Sequence, residues 1–402
     1  MTETQDSFVR IQGAGPVGIL AALFLRKYGW SNDAIELIDP AINAPLPPHA
    51  DDPRVLALSH GTLVRLAQLG VDAHATRLKR VHVSSQGHLG SMEVTADRVG
   101  VSDLGGLASY SSLLTTLREK AAKEGLRIIP SVEESERKED PSVLVIAEGG
   151  VYQRGSPRAD GPRDDGTTPS LRGSPRADGP RDDGTTSSLR GARSATSQST
   201  DIRLLRDYNQ NAVIGWVQAA PAASDTAYER FTKDGVIALL PINGRYALVW
   251  CTQTPKAETF VNASPQMQAN LLQEAMGRRV EAIRNVEITG SYPLGLKWRD
   301  TLHKGNTVWI GNSAQALHPI GGQGLNLGFR DAETLAACLL QRGLPVEQRL
   351  DDYARRRKVD RWAVRTATDT LARQDWVRKA IGAVAITPGA KKMLGQLLMY
   401  GG

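Results

Sequence analysis

Cysteine is the residue this chain has least of: Cys251 and Cys338 are its two, far apart and without metal-ligand spacing. A disulfide framework and a cysteine-based zinc site are thereby excluded, and a reducing cytoplasm fits. Long apolar runs are missing as well. No stretch of about 18 apolar residues offers a transmembrane helix, and the opening MTETQDSFVR lacks the apolar core of a signal peptide. The expectation is a soluble, cytoplasmic protein. Charge of one sign is not in strong excess either, with 49 Lys and Arg against 43 Asp and Glu, a net +6. That diffuse surplus suits an anionic cofactor or an anionic membrane surface. With no basic run interleaved with aromatics, nucleic acid is not an expected partner. No nucleophile, metal cluster or acid/base pair stands out. At 402 residues the chain is long enough for two domains with large cores.

Glycine is what the chain does have, in two places. Phe8 to Ile11 reads as a buried strand, followed by Gly13, Gly15 and Gly18 in Gly-x-Gly-x-x-Gly spacing and a helix from Val17 to about Tyr28 that stops at Gly29. In that spacing the glycines give a tight turn, close approach to a pyrophosphate and close packing of helix on strand. The next apolar run, Ala34 to Ile38, ends in Asp39, about 20 residues past the last glycine, where an acid would bond an adenosine ribose. The second place is Val308 to Asp331, VWIGNSAQALHPIGGQGLNLGFRD. Here Gly321, Gly322, Gly324 and Gly328 clear side chains from a strand-to-helix turn whose helix runs through Leu335, Leu339 and Leu340. Free N–H groups at such a helix start suit an electron-rich ring or a phosphate, and an ordinary glycine-rich turn remains the plain alternative.

The pattern GN-x5-HP-x-x-GQG-x-N-x-G-x-RD resembles the second flavin motif of the FAD-dependent aromatic-ring hydroxylases, and within them the ubiquinone-biosynthesis branch (2-polyprenyl-6-methoxyphenol hydroxylase-like). That pattern usually begins Gly-Asp, where this chain has Gly311 and Asn312, whose amide oxygen can accept a ribityl hydrogen bond without the charge. The likeness continues through Arg54, Ala57-Leu58-Ser59, Gly61 and Thr62, through Tyr208, Gln210, Arg230, Phe231 and Pro241, and into YARRRKVDRWAVRTATDTLARQ with Tyr353, Arg357, Asp360 and Arg361. Ser59 is also a natural N-cap for the helix through Leu63, Leu66 and Leu69. Charges in the late helix read most simply as a solvated face. Where the family commonly carries Asp-Gly, this chain has Glu148-Gly149.

What the resemblance implies is an α/β (mixed α+β) fold that is para-hydroxybenzoate-hydroxylase-like: a Rossmann-like FAD-binding domain with an antiparallel-sheet substrate domain. The expected division is 1–80, 101–152 and 300–345 for FAD, 81–100 and 201–299 for substrate, and 346–402 for C-terminal helices. It implies FAD as cofactor, NAD(P)H as electron donor without a Rossmann domain of its own, O₂, and a hydrophobic polyprenyl phenol hydroxylated through a flavin hydroperoxide. Other ubiquinone-biosynthesis proteins are further candidate partners. The alternatives are a monooxygenase or reductase acting on another substrate, or a non-catalytic scaffold. The cofactor-binding set is Gly13, Gly15, Gly18, Asp39, Arg54, Glu148, Asn312, Pro319, Gly321, Gly324, Leu325 and Asn326, with Pro319 lining the reacting face and the Gly324, Leu325 and Asn326 N–H groups facing the ring. His318, the tempting general base, reads better as a structural hydrogen-bonding residue.

Strands are expected at Val81 to Val101, Val143 to Ile146, Ala212 to Val217, Ala227 to Phe231, Val236 to Ile242 and Arg245 to Thr252, with an Asn243-Gly244 hairpin and a helix over Ser111 to Lys123. RGSPRADGPRDDGTTPSL at 154–171 recurs at 172–189 with only Pro169 changed to Ser187. Such a composition buries almost nothing, so 153–200 is expected to be a disordered insertion. The tail KKMLGQLLMY packs on a core or touches the inner membrane peripherally.

Overall fold

A computed structural model describes residues 8–49, 51–87, 91–137, 139–149, 202–220 and 225–373. The repeat insertion and the KKMLGQLLMY tail lie outside the described residues. In chain order the first half gives β1 (Val9–Gln12), α1 (Pro16–Lys27), β2 (Ile35–Ile38), β3 (Val55–Ser59), α2 (His60–Gln68), β4 (Thr76–Leu78), β5 (Arg80–Ser85), β6 (Ser91–Thr95), α3 (Ala96–Val99), β7 (Gly105–Ser109), α4 (Tyr110–Lys123), β8 (Ile128–Ile129) and β9 (Val143–Ile146). The second gives β10 (Arg203–Ala220), β11 (Thr226–Thr232), β12 (Gly235–Ile242), β13 (Arg245–Gln253), α5 (Thr254–Val261), α6 (Pro265–Met276), β14 (Ala282–Trp298), β15 (His303–Lys304), β16 (Thr307–Trp309), β17 (Gln315–Ala316), α7 (Gln323–Leu339) and α8 (Val346–Arg373).

Three sheets result, which makes the mixed α/β architecture plain. A six-stranded sheet runs β15-β16-β9-β1-β2-β8, parallel except at the β15 edge. Its strands are short and mostly apolar because helices cover them, with Arg10 of β1 and Glu36 of β2 paired in register as the charged exception, and α1 is buried along Ile19 to Leu25 against α7 and α4. An eight-stranded sheet runs β17-β14-β10-β13-β12-β11-β5-β6, and a small one β3-β7-β4.

The eight-stranded sheet departs from expectation in three ways. It is mixed, because β5 arrives from the first half of the chain and pairs parallel with β11. Residues 96–99, read as strand from loose alternation, form the short α3. β10 and β14 are 18 and 17 residues long, far beyond the six-residue run visible as Ala212 to Val217. Gly290, Pro293 and Gly295 break the alternation of β14, and several register shifts bend the β10–β14 pair. One face of this sheet is covered by α5 and α6, through Val213, Ile237, Leu239, Leu248 and Trp250 against Phe260, Leu272 and Met276. The opposite face looks toward β3, β7 and the loop before α7. Among the described residues no helix is long and apolar enough to cross a membrane.

Candidate functional site

Two glycine turns and one bare sheet face converge. At the first turn Gly13 has φ +99°, and a Cβ there would lie 2.8–2.9 Å from the backbone of Ala147 and Glu148. A Cβ on Gly18 would lie 1.9 Å from the Gly13 carbonyl oxygen. β1, α1 and the end of β9 therefore press together closely only because these positions lack side chains. Asp39, at the end of β2, accepts the Ala14 N–H at 2.9 Å and the Ala41 N–H at 2.8 Å, one on each carboxylate oxygen. Each oxygen keeps a lone pair for a hydroxyl. Gly15 is the N-cap of α1, and it has no side chain to cap the helix.

From there contacts run in a closed ring. The Glu148 carbonyl accepts the Ser313 hydroxyl at 2.7 Å. Gly311, at φ +59°, packs on Val17 of α1, as does Gly328 of α7. Asn326, buried in the first turns of α7, accepts the Ser59 N–H at 2.9 Å and the Thr62 hydroxyl at 2.7 Å, and donates to the Ala57 and Gly322 carbonyls at 2.9 and 2.8 Å. The Arg54 guanidinium, just before β3, sits 4.3 Å over the Tyr110 ring, whose hydroxyl lies near Gly15. Asp52 grips Arg54 at 2.8 and 2.9 Å and also takes the Ser111 N–H. Burial pushes the Asp52 carboxyl up, but the Arg54 hydrogen bonds and charge reverse this and hold it below the usual carboxylate range. Arg54 in turn is held more firmly protonated, burial notwithstanding.

The start of α7 is left free. Gly321 and Gly322 have φ +68° and +60°, Gly322 lies against Ala57, and no side chain caps the helix. Helices α2, α4 and α6, by contrast, are capped by Ser59, Ser109 and Ser264. Nothing lies within 4 Å of where a Cβ on Gly324 would point, so that glycine faces open space rather than a packed neighbour. Two uncapped helix starts, an acid beside the first and open space beside the second, suit a ligand with a diphosphate at one end and a flat ring at the other. The residues present fit FAD on these grounds.

Each predicted position can now be placed. Gly13, Gly15, Gly18, Asp39 and Glu148 meet around the first turn, Arg54 approaches that turn through Tyr110, and Gly321, Gly324 and Asn326 make the second. The Asn326 side chain is fully engaged with protein, and as the fourth residue of α7 its backbone N–H belongs to the helix ladder, so the N–H groups left for a ligand are those of the first turn, Gln323 to Leu325. Leu325 is partly buried against the main core, and Pro319 closes the turn through its carbonyl to the Gly322 N–H. Asn312 is exposed at the ring's edge. His318 is buried; its Nδ1 accepts the Ile320 N–H at 3.3 Å, so Nε2 carries the proton and donates to Gln210 at 3.1 Å. Both nitrogens serve the loop.

Two features were missed in the sequence. The first is a buried ion network beneath the second loop. Asp331 accepts the Gly311 N–H at 3.1 Å, Gln315 Nε2 at 2.7 Å and Arg357 Nε at 2.7 Å. Asp360 binds Arg330 through two hydrogen bonds and Arg357 at 2.7 Å, and Arg361 reaches Gln315 Oε1 and the Arg299 carbonyl. Arg357, Asp360 and Arg361 of α8 are therefore buried, not a solvated face. Burial pushes the Asp360 carboxyl up, and the Arg357 and Arg330 charges overcome this and leave it depressed. The RD pair at the end of the motif was the available signal, but its partners lie 26 to 30 residues on.

The second missed feature is an apolar strip. Cross-strand register aligns Val83, Glu229, Ala238, Val249, Ile214 and Gly290 in one row on the face turned away from α5 and α6. Ala238, Val249, Ile214 and neighbouring Leu240 stay partly exposed although they sit in the middle of the sheet. On one side Phe231 and Val236 pack with Ile320, and on the other Trp216 and Ala247 pack with Leu107 and Ala57. The row between is a cleft floor facing the loop before α7.

Residues 184–368 match the family described as FAD binding domain. The chain is 29% identical over 206 residues to an uncharacterized protein of Synechocystis sp., covering 48% of this chain and 50% of that protein. It is 28% identical over 174 residues to the ubiquinone hydroxylase UbiL of Rhodospirillum rubrum, covering 41% and 40%. The matched stretches thus span half or less of these curated relatives. Among solved structures, p-nitrophenol 4-monooxygenase PnpA of Pseudomonas putida superposes with a TM-score of 0.66 at 16% identity, covering 98% of each chain, which establishes the shared fold. The chain is thus similar to an FAD binding domain over residues 184–368 and, over less than half of its length, to curated ubiquinone hydroxylases, the branch that its motifs resemble.

Proposed function

We propose that this protein is an FAD-dependent monooxygenase that hydroxylates the aromatic ring of a hydrophobic phenol, of the polyprenyl class that ubiquinone biosynthesis consumes. The observation that carries the reading is the open space at Gly324, beside an uncapped helix start and over a partly exposed apolar strip. A flat cofactor ring there would lie between helix N–H groups and a greasy substrate floor.

In this reading Asp39 takes the ribose hydroxyls, and the Gly13–Gly18 turn takes the diphosphate at the start of α1. Arg54 supplies a fixed cation, Glu148 and Asn312 border the linking chain, and Pro319, Gly321, Gly324 and Leu325 line the ring, with Asn326 bracing the turn behind them. When bound and reduced by NAD(P)H, FAD supplies activation of O₂ and transfer of one oxygen atom to the phenol ring. The chain's own part is to bind, orient and keep water out. Backbone N–H groups at the start of α7 face the place where negative charge develops on the ring, already oriented by the Asn326 clamp and the ion network below. Ile214, Ala238, Leu240 and Val249 offer apolar contact to the ring and side chain of the substrate, and they exclude water from it.

The test is the visible spectrum of the purified protein with its chromophore released and identified, followed by product analysis with a prenylated phenol, NAD(P)H and O₂. Bound FAD and a product one oxygen atom heavier are expected. A protein that stays colourless after incubation with FAD would overturn the reading.

A further inference from the structure

Glu229 is the one charged member of the apolar row, with Val83 beside it on β5 and Ala238 beside it on β12. It keeps some accessible surface, as do Ala238, Val249 and Ile214 farther along, so it borders the cleft rather than the packed clusters on either side. Its carboxyl faces the Gly321 N–H, in the turn that starts α7, and lies near the buried Cys251 thiol on β13; burial pushes the carboxyl above the usual carboxylate range and the Gly321 N–H pulls the other way. Among the described residues no arginine or lysine pairs with it. A carboxyl in such surroundings is costly to keep, and one N–H donor satisfies only part of its capacity to accept. An amide in its place would hold Gly321 equally well. What a carboxylate adds is a second acceptor oxygen on the cleft side.

Taking the phenol reading above as its basis, we infer that Glu229 is the specificity-determining residue that accepts the substrate's ring hydroxyl, holding it beside the Gly321 turn while the rest of the ligand lies along Ala238, Val249 and Ile214. One carboxylate oxygen holds the loop and the other holds the ligand. The phenol is thereby positioned relative to the helix start by a single side chain, and an aromatic compound without the hydroxyl leaves that oxygen unpaired. A site built to pair a hydroxyl discriminates strongly against analogues that lack it.

The experiment uses the full-length, FAD-loaded protein, with FAD content fixed first from absorbance. Dissociation constants of 4-heptylphenol and its methyl ether 4-heptylanisole, in which a methyl group replaces the hydroxyl proton, are read at pH 8 from the perturbation of the bound flavin spectrum. The wild type is expected to prefer the phenol by about tenfold or more, as one charge-assisted hydrogen bond allows. In Glu229→Gln the amide oxygen can hold Gly321 while the amide NH₂ faces the cleft as a donor. The preference should then fall to within about twofold, with FAD content unchanged. Glu229→Ala should give the same loss of preference, and a variant that failed to load FAD would be set aside in favour of Gln. A wild type that binds both probes equally, or a Gln variant that keeps the preference, overturns the role of Glu229 alone. Loaded wild type that binds neither probe overturns the hydrophobic-phenol reading, and this inference with it.

Discussion

The turn after β1 and the loop before α7 have the same geometric task, bringing bare backbone to a helix start, yet they are supported by different physics. The first is held by close packing: Gly13 against Ala147, Gly18 against Gly13, with one carboxylate, Asp39, tying two backbone N–H groups. The second is hung from charge. Asp331, Asp360, Arg330, Arg357 and Arg361 form a buried lattice that reaches up to the Gly311 N–H and Gln315. Where steric fit is the support, an added methyl should do the damage; where ions are, a lost partner should.

The sharpest break of that contrast is Asp331→Ala. It removes the acceptor for Gly311, Gln315 and Arg357 together, and it leaves a fully buried guanidinium short of one partner. Stripping one partner from a buried ion network costs about 3–5 kcal/mol, so urea unfolding should show a loss of that order, with FAD release following the loss of fold. A loss below about 1 kcal/mol, the range of exposed ion pairs, would mean the lattice does not support the loop.

Gly18→Ala should behave in the opposite order. Its Cβ would stand 1.9 Å from the Gly13 carbonyl oxygen, an atom of backbone that cannot swing aside. Overpacking of this kind costs about 1–3 kcal/mol, less than the Asp331 change. The turn that faces the diphosphate must shift to relieve it. Purified protein is expected to be folded and colourless, and a variant that retains full FAD would remove the first turn from the cofactor site.

How much of this could be read from the chain follows the same divide. Gly13, Gly15, Gly18 and Asp39 were legible because packing constraints there are local and leave a fixed spacing. The hairpin at Asn243-Gly244 and the Ser59 cap were legible for the same reason. Arg357, Asp360 and Arg361 were misread because helical charges look alike in sequence whether they meet water or Asp331, and only the fold of α8 onto α7 decides. The cleft floor was invisible as a unit: Val83, Glu229, Ala238, Val249 and Ile214 come from five strands, and it takes the register of all five to align them. Spacing and a family resemblance pointed to the motif residues, whereas register revealed which strand residues line up beside them.

A milder way to sharpen the comparison is pH. Asp360 beneath the second loop and Asp52 beside Arg54 both sit below the ordinary carboxylate range in the folded protein. A carboxyl depressed on folding contributes stability that is present above its unfolded value, and that stability is lost as pH falls through the depressed folded value. Stability should therefore drop on the acid side of the ordinary carboxylate value of about 4. Asp360→Asn should flatten that slope while lowering stability at neutral pH. The steric effect of Gly18→Ala involves no titration, so its cost should be the same across that range. Parallel urea titrations of the two variants from neutral to acid pH would show whether charge supports one loop and fit the other.

The smallest expected effect belongs to Asn312→Asp, at the exposed edge where the second loop meets Glu148 through Ser313. An exposed substitution away from caps and cores changes stability by no more than about 0.5 kcal/mol, so the melting temperature should hold. If Asn312 borders the linking chain of FAD, a carboxylate there would accept a hydroxyl through a charge-assisted bond, roughly twice as strong as the amide's. A few-fold tighter FAD dissociation constant is expected, with the visible spectrum of the bound flavin otherwise the same. Unchanged affinity in a folded variant would place Asn312 outside the cofactor's reach. It would also leave the second loop acting on FAD through backbone alone, which is what its ion-supported glycines are built to present.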